Sequence, residues 1–200
     1  NKFPCILAVG GMNRLLAGLL ILLLLSCQAD ATLSIVSICD IPPAQCMALD
    51  SGYAYVATNS GLFKIDLASF SVITSCYLPN ANGVALSGGY AYVTTDLGLH
   101  KIYLASFAIV NFIGTPSPAK GVALDDDFAY VATDSGLNRI SLATFSFAGI
   151  ITTSPAKAVA LDGNYAYVAT DWGLCRISLA SFTYAGIITT SPAKDVTTGG

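Results

Sequence analysis

Four times, this 200-residue chain writes nearly the same phrase: Tyr53-Ala54-Tyr55-Val56-Ala57, Tyr90-Ala91-Tyr92-Val93-Thr94, Phe128-Ala129-Tyr130-Val131-Ala132 and Tyr165-Ala166-Tyr167-Val168-Ala169. The aromatic residue that opens the phrase falls at 53, 90, 128 and 165, in steps of 37, 38 and 37 residues. Other landmarks keep the same beat. A Ser-Pro-Ala-Lys tetrad stands at 117–120, 154–157 and 191–194, and Leu-Ala-Ser-Phe or Leu-Ala-Thr-Phe ends at Phe70, Phe107, Phe145 and Phe182. Self-similarity at this period marks a repeat architecture, in which one unit cannot bury its apolar surface alone.

Each unit divides into four strand-sized pieces. In the last full copy, Ala158 to Asp162 is a short apolar run, and Gly163-Asn164 turns the chain. Tyr165 to Thr170, Leu174 to Leu179 and Phe182 to Thr190 follow, separated by Asp171-Trp172-Gly173 and Ala180-Ser181. Gly and Pro punctuate, and β-branched or aromatic residues fill. No piece has the length or period of a helix, which excludes the helical repeats of similar period. Successive strand side chains face opposite ways, so Tyr165, Tyr167 and Ala169 share one face, with Ala166 and Val168 on the other. Both faces are apolar or small, and stacking similar sheets covers both.

The expected fold is therefore all-β, a β-propeller of four-stranded blades on a repeat of about 37 residues. A linear β-solenoid is the alternative. The blades are placed at about 41–78, 79–117, 118–154 and 155–191, with a partial fifth at 192–200. Leu33 to Asp40 has the register of a preceding fourth strand, and Cys39 aligns with Cys76. With a fifth unit beginning at Pro192, the expected form is an incomplete ring.

Tyr53-Ala54-Tyr55-Val56-Ala57 followed by Gly61-Leu62-Phe63-Lys64-Ile65-Asp66 resembles the LVIVD-repeat and YVTN-type propellers of bacterial and archaeal surface proteins. The resemblance covers about residues 41 to 200 and implies a propeller in an exported protein. The family's Asp near the end of the third strand stands only at Asp66; Tyr103, Ser141 and Ser178 replace it elsewhere.

Export is suggested independently. Met12-Asn13-Arg14 precedes the apolar run Leu15 to Leu25, then Ser26-Cys27-Gln28. A short basic region, an apolar stretch of about 7–15 residues and a small residue describe a secretory signal. Leu24-Leu25-Ser26-Cys27 resembles the lipobox of bacterial lipoproteins, which implies a signal peptide over 12–26, a lipid on Cys27, a tether over 27–32 and an anchor at the outer membrane or cell surface; a plain cleaved signal of a secreted protein, or an uncleaved anchor, is the alternative. Residues 1–11 precede Met12 and are set aside as an upstream extension.

The composition narrows the function. From Gln28 onward there are seven Lys and Arg against twelve Asp and Glu. An acidic chain without a basic stripe is not built for nucleic acid, whose phosphates need clustered cations. Four strands of about five residues leave about four residues per connection, near the ordinary loop length, and this gives little material for a catalytic site.

Two polar positions repeat. Lys120, Lys157 and Lys194 end the Ser-Pro-Ala-Lys tetrads, with Gln45 and Asn82 equivalent. Asp96, Asp134 and Asp171 follow the second strand, with Asn59 equivalent. In a propeller both sets emerge at one end, as a polar rim suited to a carbohydrate or protein partner or as lysines and aspartates that simply pair. Trp172 stands in a rim turn and either stacks on a partner or packs on the next blade. Lys64, Lys101, Arg139 and Arg176 recur in the third strand and are expected on a solvated face. Asp125-Asp126-Asp127 reads as a solvated turn rather than a calcium site, and the lone His100 as a strand-surface residue. Cys39, Cys46, Cys76 and Cys175 have no zinc spacing; Cys39 and Cys46 are near enough in sequence to close a small loop as a disulfide. No catalytic, metal or cofactor site is expected. The function expected is a non-catalytic, lipid-anchored scaffold or binding module at the cell envelope. A propeller-class enzyme, such as a lactonase or quinoprotein, and an envelope-assembly protein are the alternatives.

Overall fold

The computed structural model describes residues 19–21, 38–189 and 191–197, with side chains from Cys39 onward. The upstream extension, most of the signal segment, Cys27 and the tether lie outside the described residues. No helix among the described residues is long and apolar enough to cross a membrane.

The described chain is all β. Two short strands come first, β1 (Leu19–Ile21) and β2 (Ile38–Asp40). Blade 1 is β3 (Ala44–Asp50), β4 (Tyr53–Thr58), β5 (Gly61–Asp66) and β6 (Ser71–Tyr77). Blade 2 is β7 (Ala81–Ser87), β8 (Tyr90–Thr95), β9 (Gly98–Tyr103) and β10 (Ala108–Gly114). Blade 3 is β11 (Ala119–Leu124), β12 (Phe128–Thr133), β13 (Gly136–Ser141) and β14 (Phe147–Thr152). Blade 4 is β15 (Ala156–Asp162), β16 (Tyr165–Thr170), β17 (Gly173–Ser178) and β18 (Thr183–Thr189). Each blade is a four-stranded antiparallel meander with its strands in chain order. Successive blades touch through their first strands, β3 on β7, β7 on β11 and β11 on β15. The sheets fan outward from that line of contact as propeller blades do. The contact from β15 back to β3 is not of that kind, so the described blades form an arc.

Small residues permit the tight inner packing. A Cβ on Gly83 would lie 2.9 Å from the Lys120 carbonyl oxygen, and one on Gly121 would lie 3.2 Å from Cα of Ala158. The glycine that opens each third strand is required more strictly. Gly61, Gly98, Gly136 and Gly173 have φ of +148°, +147°, +132° and +123°. At Gly98 a Cβ would stand 2.2 Å from the Ile113 carbonyl oxygen. No other residue fits that place.

The core lies between blades. Tyr55, Ala57 and Leu62 of blade 1 pack on Ala91, Val93 and Ile102 of blade 2. Tyr92 and Leu99 pack on Ala129, Val131 and Ile140 in the next seam, and Tyr130, Ala132 and Leu137 on Ala166, Val168 and Ile177 in the third. One face of each phrase supplies the Tyr side of a seam, and the other face supplies the Ala-Val side. Burial at roughly 25 cal/mol per Å² of apolar area is thus shared by two blades and belongs to neither alone. On the outer side of blade 1, Cys39 and Ile41 cover Ala54, Val56 and Ile65. Here β2 stands where a fourth strand would stand. Leu20 is opposite Cys39 in register, as Leu62 is opposite Cys76.

No disulfide joins Cys39 to Cys46. Cys39 packs on the outer face of blade 1, whereas Cys46 packs in the seam between blades 1 and 2. The sheet itself separates two sulfurs that are close in sequence. Burial raises the thiol pKa of both Cys76 and Cys175, which keeps them protonated and unreactive.

Candidate functional site

A β-bulge in each first strand builds the rim. Pairing with the second strand skips one residue between Ala44 and Cys46, Ala81 and Gly83, Ala119 and Gly121, and Ala156 and Ala158. The skipped residues are Gln45, Asn82, Lys120 and Lys157. A bulge adds one unpaired residue and re-aims its side chain. At this end of the blades the connections run only two to four residues, and the aspartates stand in those turns.

The structure brings most of the rim residues together. Lys120 lies between two blades, 3.5 Å from Asp96 and 4.0 Å from Asp134. Lys157 pairs with Asp171 inside blade 4. Asp96 accepts hydrogen bonds from Asn82 at 3.1 Å and Asn80 at 2.8 Å. Asn82 also donates to the Ala119 carbonyl of the next blade at 2.8 Å. In blade 1 the equivalent pair is uncharged, Gln45 donating to Asn59 at 3.0 Å. The Asn82 hydrogen bond, followed by Asn80 and the Lys120 charge, lowers the Asp96 carboxyl pKa. Lys194 is exposed, next to Ala193, whose N–H donates to the Thr170 carbonyl at 3.0 Å. Trp172 is 65% exposed and lies open in its turn rather than against another blade. Cys27 lies outside the described residues.

Exposed ion pairs of this kind contribute about 0–1 kcal/mol each. Such pairs can be exchanged for an incoming ligand at little cost. Chemically, the rim offers alternating carboxylates and ammonium groups, with one free indole beside the Lys157–Asp171 pair.

Three repeated devices were not apparent in the sequence. The first is a buried threonine. Thr58, Thr95, Thr133 and Thr170 are fully buried at the second-strand ends. Each hydroxyl donates across the turn to a glycine carbonyl, for example Thr133 to Gly136 at 2.9 Å and Thr170 to Gly173 at 2.9 Å. The second is the cation set. Lys64 lies 4.0 Å from the Tyr53 ring centroid, Lys101 4.3 Å from Tyr90, Arg139 4.8 Å from Phe128 and Arg176 4.9 Å from Tyr165. These cations are therefore not simply solvated. They cap the aromatic that opens the phrase in their own blade.

The third device is the phenylalanine of Leu-Ala-Ser-Phe. Phe70, Phe107, Phe145 and Phe182 have left-handed backbones, φ +49°, +54°, +51° and +49°. That conformation costs roughly 1–2 kcal/mol outside glycine, so something must offset it. The Phe107 and Phe145 N–H groups reach back to the Tyr103 and Ser141 carbonyls at 2.8 and 2.9 Å. The rings then meet the preceding blade: Phe107 on Tyr55, Phe145 on Tyr92 and Phe182 on Tyr130, at 6.4, 6.5 and 6.3 Å. The available signal was the fixed recurrence of Tyr and Phe, a period apart and in phase.

His100 also differs from expectation. It is half-buried, lies 3.3 Å from the Thr95 hydroxyl and tilts against Phe112 at 4.5 Å. Burial lowers its pKa. Asp125 caps its own turn, accepting from the Asp127 and Phe128 N–H groups and from the Tyr130 hydroxyl.

An LVIVD-repeat family model matches residues 43–74, 80–100, 117–138 and 155–175. Four segments of the chain are thus similar to LVIVD repeats. Each match begins at or just before a first strand and takes in the Tyr-Ala-Tyr-Val phrase, and the last three run into the third strand. Among solved structures, the chain is similar to Kuenenia stuttgartiensis hydrazine synthase, with 16% identity and a TM-score of 0.66 over 71% of this chain and 47% of that one. It is also similar to the Neurospora crassa Pan2 WD40 domain, with 10% identity and a TM-score of 0.69 over 82% and 59%. A third is U3-55K, with 14% identity and a TM-score of 0.64 over 72% and 48%. At these identities the likeness is one of fold, that of β-propeller blades. The chain spans about half the length of the solved structures it matches. No curated protein matches it.

Proposed function

We propose that this propeller is a non-catalytic binding module, exported and held at the bacterial cell envelope by a lipid on Cys27, and that its rim receives a carbohydrate or protein partner. The observation that carries the reading is the rim itself. Short turns hold weakly paired charges around an exposed tryptophan, Trp172, the only tryptophan in the chain. Such a surface suits recognition by exchange of hydrogen bonds and by ring stacking. Tyr-Phe contacts between blades tie the seams together toward the opposite end of the blades.

Two measurements test this. Metabolic labelling with an alkyne fatty acid in a bacterial host should label the full chain, and Cys27→Ser should lose the label; an unlabelled parent protein would end the lipid-anchor reading. Trp172 emission should shift when the protein is titrated with envelope oligosaccharides or solubilised envelope proteins, and Lys157→Ala should weaken the response. An emission spectrum indifferent to every envelope fraction would count against the rim.

A further inference from the structure

One position of the third strand differs in every blade: Phe63, His100, Asn138 and Cys175, each between a leucine and a Lys or Arg. Strand alternation places His100 on the same face as Ile102, which packs in the seam between blades 1 and 2. Of the four side chains only the imidazole takes up a proton near neutral pH, and His100 is the sole histidine of the chain.

The hydrogen bonds assign its neutral tautomer. The Thr95 hydroxyl accepts from the Leu97 N–H at 3.2 Å and donates to the Gly98 carbonyl at 3.4 Å. Thr58, Thr133 and Thr170 donate in the same way in the other blades. The one hydroxyl hydrogen of Thr95 is thus in use, so His100 Nε2, 3.3 Å away, is the donor of that pair. Nδ1 is then the basic nitrogen. It is buried and has no hydrogen-bond partner among the described residues, and the Phe112 ring tilts against the imidazole at 4.5 Å. A proton arriving at Nδ1 makes a charged N–H with nothing to receive it, which is disfavoured relative to water.

The neighbouring groups give that charge no relief. Blade 1 brings Tyr53, Tyr55, Cys46 and Cys76 to this seam. Phenols and thiols are neutral below pH 7, and burial raises Tyr55 and Cys76 further. Lys64 lies over Tyr53 at 4.0 Å and adds only positive charge. The rim turn of blade 1 carries Asn59 where the other blades carry Asp. Within blade 2, Val93 and Phe112 flank His100 in register, and Lys101 turns to the other face, over Tyr90. Asp96, in the adjoining turn, is already engaged by Asn82, Asn80 and Lys120. Burial accordingly holds the His100 pKa below its ordinary value of 6.5.

We propose that His100 makes the seam between blades 1 and 2 an acid-labile joint: uptake of one proton at Nδ1 loosens these two blades from each other while the seams beyond, with Asn138 and Cys175 at the same position, stay closed. Gln45 and Asn59 stand on one side of the joint, Asn82 and Asp96 on the other, so its opening divides the rim. A lowered folded pKa means that the opened chain binds the proton more readily. The stability from His100 is complete above 6.5 and is lost as the pH falls from there through the lower folded value.

The test is urea unfolding of the full chain between pH 7 and pH 5, above the ordinary carboxylate range. The unfolding constant should rise as the pH falls, by up to about tenfold per unit, the limit for one proton. His100→Asn, which installs the blade 3 residue, should flatten that profile, and His100→Phe, which installs the blade 1 residue, should do so too. Hydrogen exchange, corrected for its intrinsic pH dependence, should show protection falling at pH 5 in Tyr53–Asp66 and Tyr90–Tyr103 but not in Tyr165–Ser178. An NMR titration of the parent imidazole, which needs no variant, should give a midpoint below 6.5. A midpoint at or above 6.5, a flat parent profile, or the parent slope retained in both variants overturns the inference. Equal loss of protection in all four blades overturns it likewise, because the proton would then act on the whole fold and not on a joint.

Discussion

Tyr130 of blade 3 and Tyr167 of blade 4 hold the same place in nearly the same sequence, yet Tyr130 is 1% exposed and Tyr167 is half-buried. Leu137 and Leu174 differ in the same way, the first fully buried and the second partly open. Backbone, register and turns do not differ: both blades pair Gly with Thr at one end and Phe or Tyr with Ser at the other. The difference is that the Tyr face of blade 3 meets blade 4. Burial in this fold is thus set by the neighbour, while strand geometry is set within the repeat.

That distinction predicts unequal costs for equal substitutions. Leu137→Ala removes a fully enclosed side chain and should cost about 2–5 kcal/mol. Leu174→Ala leaves no comparable cavity and should cost less than half as much. Urea unfolding of the two variants, compared at matched slopes, is the measurement. Equal losses would break the comparison, because they would mean that the two leucines experience the same packing in solution.

The contrast also marks what could be read from the chain. The period, the four strands per unit and the two-faced phrase follow from Tyr, Val, Gly and Pro positions, because strand alternation and turn chemistry are local. The rim lysines were visible as a repeated position, but their direction depends on a bulge at Gln45, Asn82, Lys120 and Lys157 that composition does not announce. The left-handed Phe was hidden for a related reason. Nothing within Leu-Ala-Ser-Phe itself favours that backbone, and the compensating contact with Tyr lies in another blade. His100 and the cations over aromatics were misplaced because an isolated strand gives no account of what lies above it. Local chemistry was legible; contacts made across a seam were not.

A substitution confined to one blade should erase the difference. Thr133 and Thr170 are both fully buried and each donates to a glycine of its own blade. Thr133→Val and Thr170→Val should therefore cost about the same, on the order of 1–2 kcal/mol for a buried carbonyl left without its donor. Thermal or urea unfolding would measure both. A much smaller loss at Thr170 would show that the open face of blade 4 admits water to that turn, which would sharpen the contrast between blades.

The smallest expected effect lies at the rim, where one acid looks across a seam and another does not. Asp96 draws on Asn82, Asn80 and, across the seam, Lys120, and its pKa is lowered from 3.8 in that order of causes. A depressed carboxyl pKa means that the unfolded chain binds the proton more readily. The stability from Asp96 is complete above the unfolded value near 4 and is lost as the pH falls through the lower folded value. Asp96→Asn should accordingly flatten the decline of stability below pH 4 while changing neutral-pH stability by under about 1 kcal/mol, since the group is partly exposed. Lys120→Met should remove only the salt-sensitive part of that slope, because the two asparagine bonds remain and mobile ions screen only the charge pair. A pH profile insensitive to Asp96→Asn would mean that the acid rim does not join blades 2 and 3 in solution, and that the seam is held by Tyr92, Phe145 and their apolar neighbours alone.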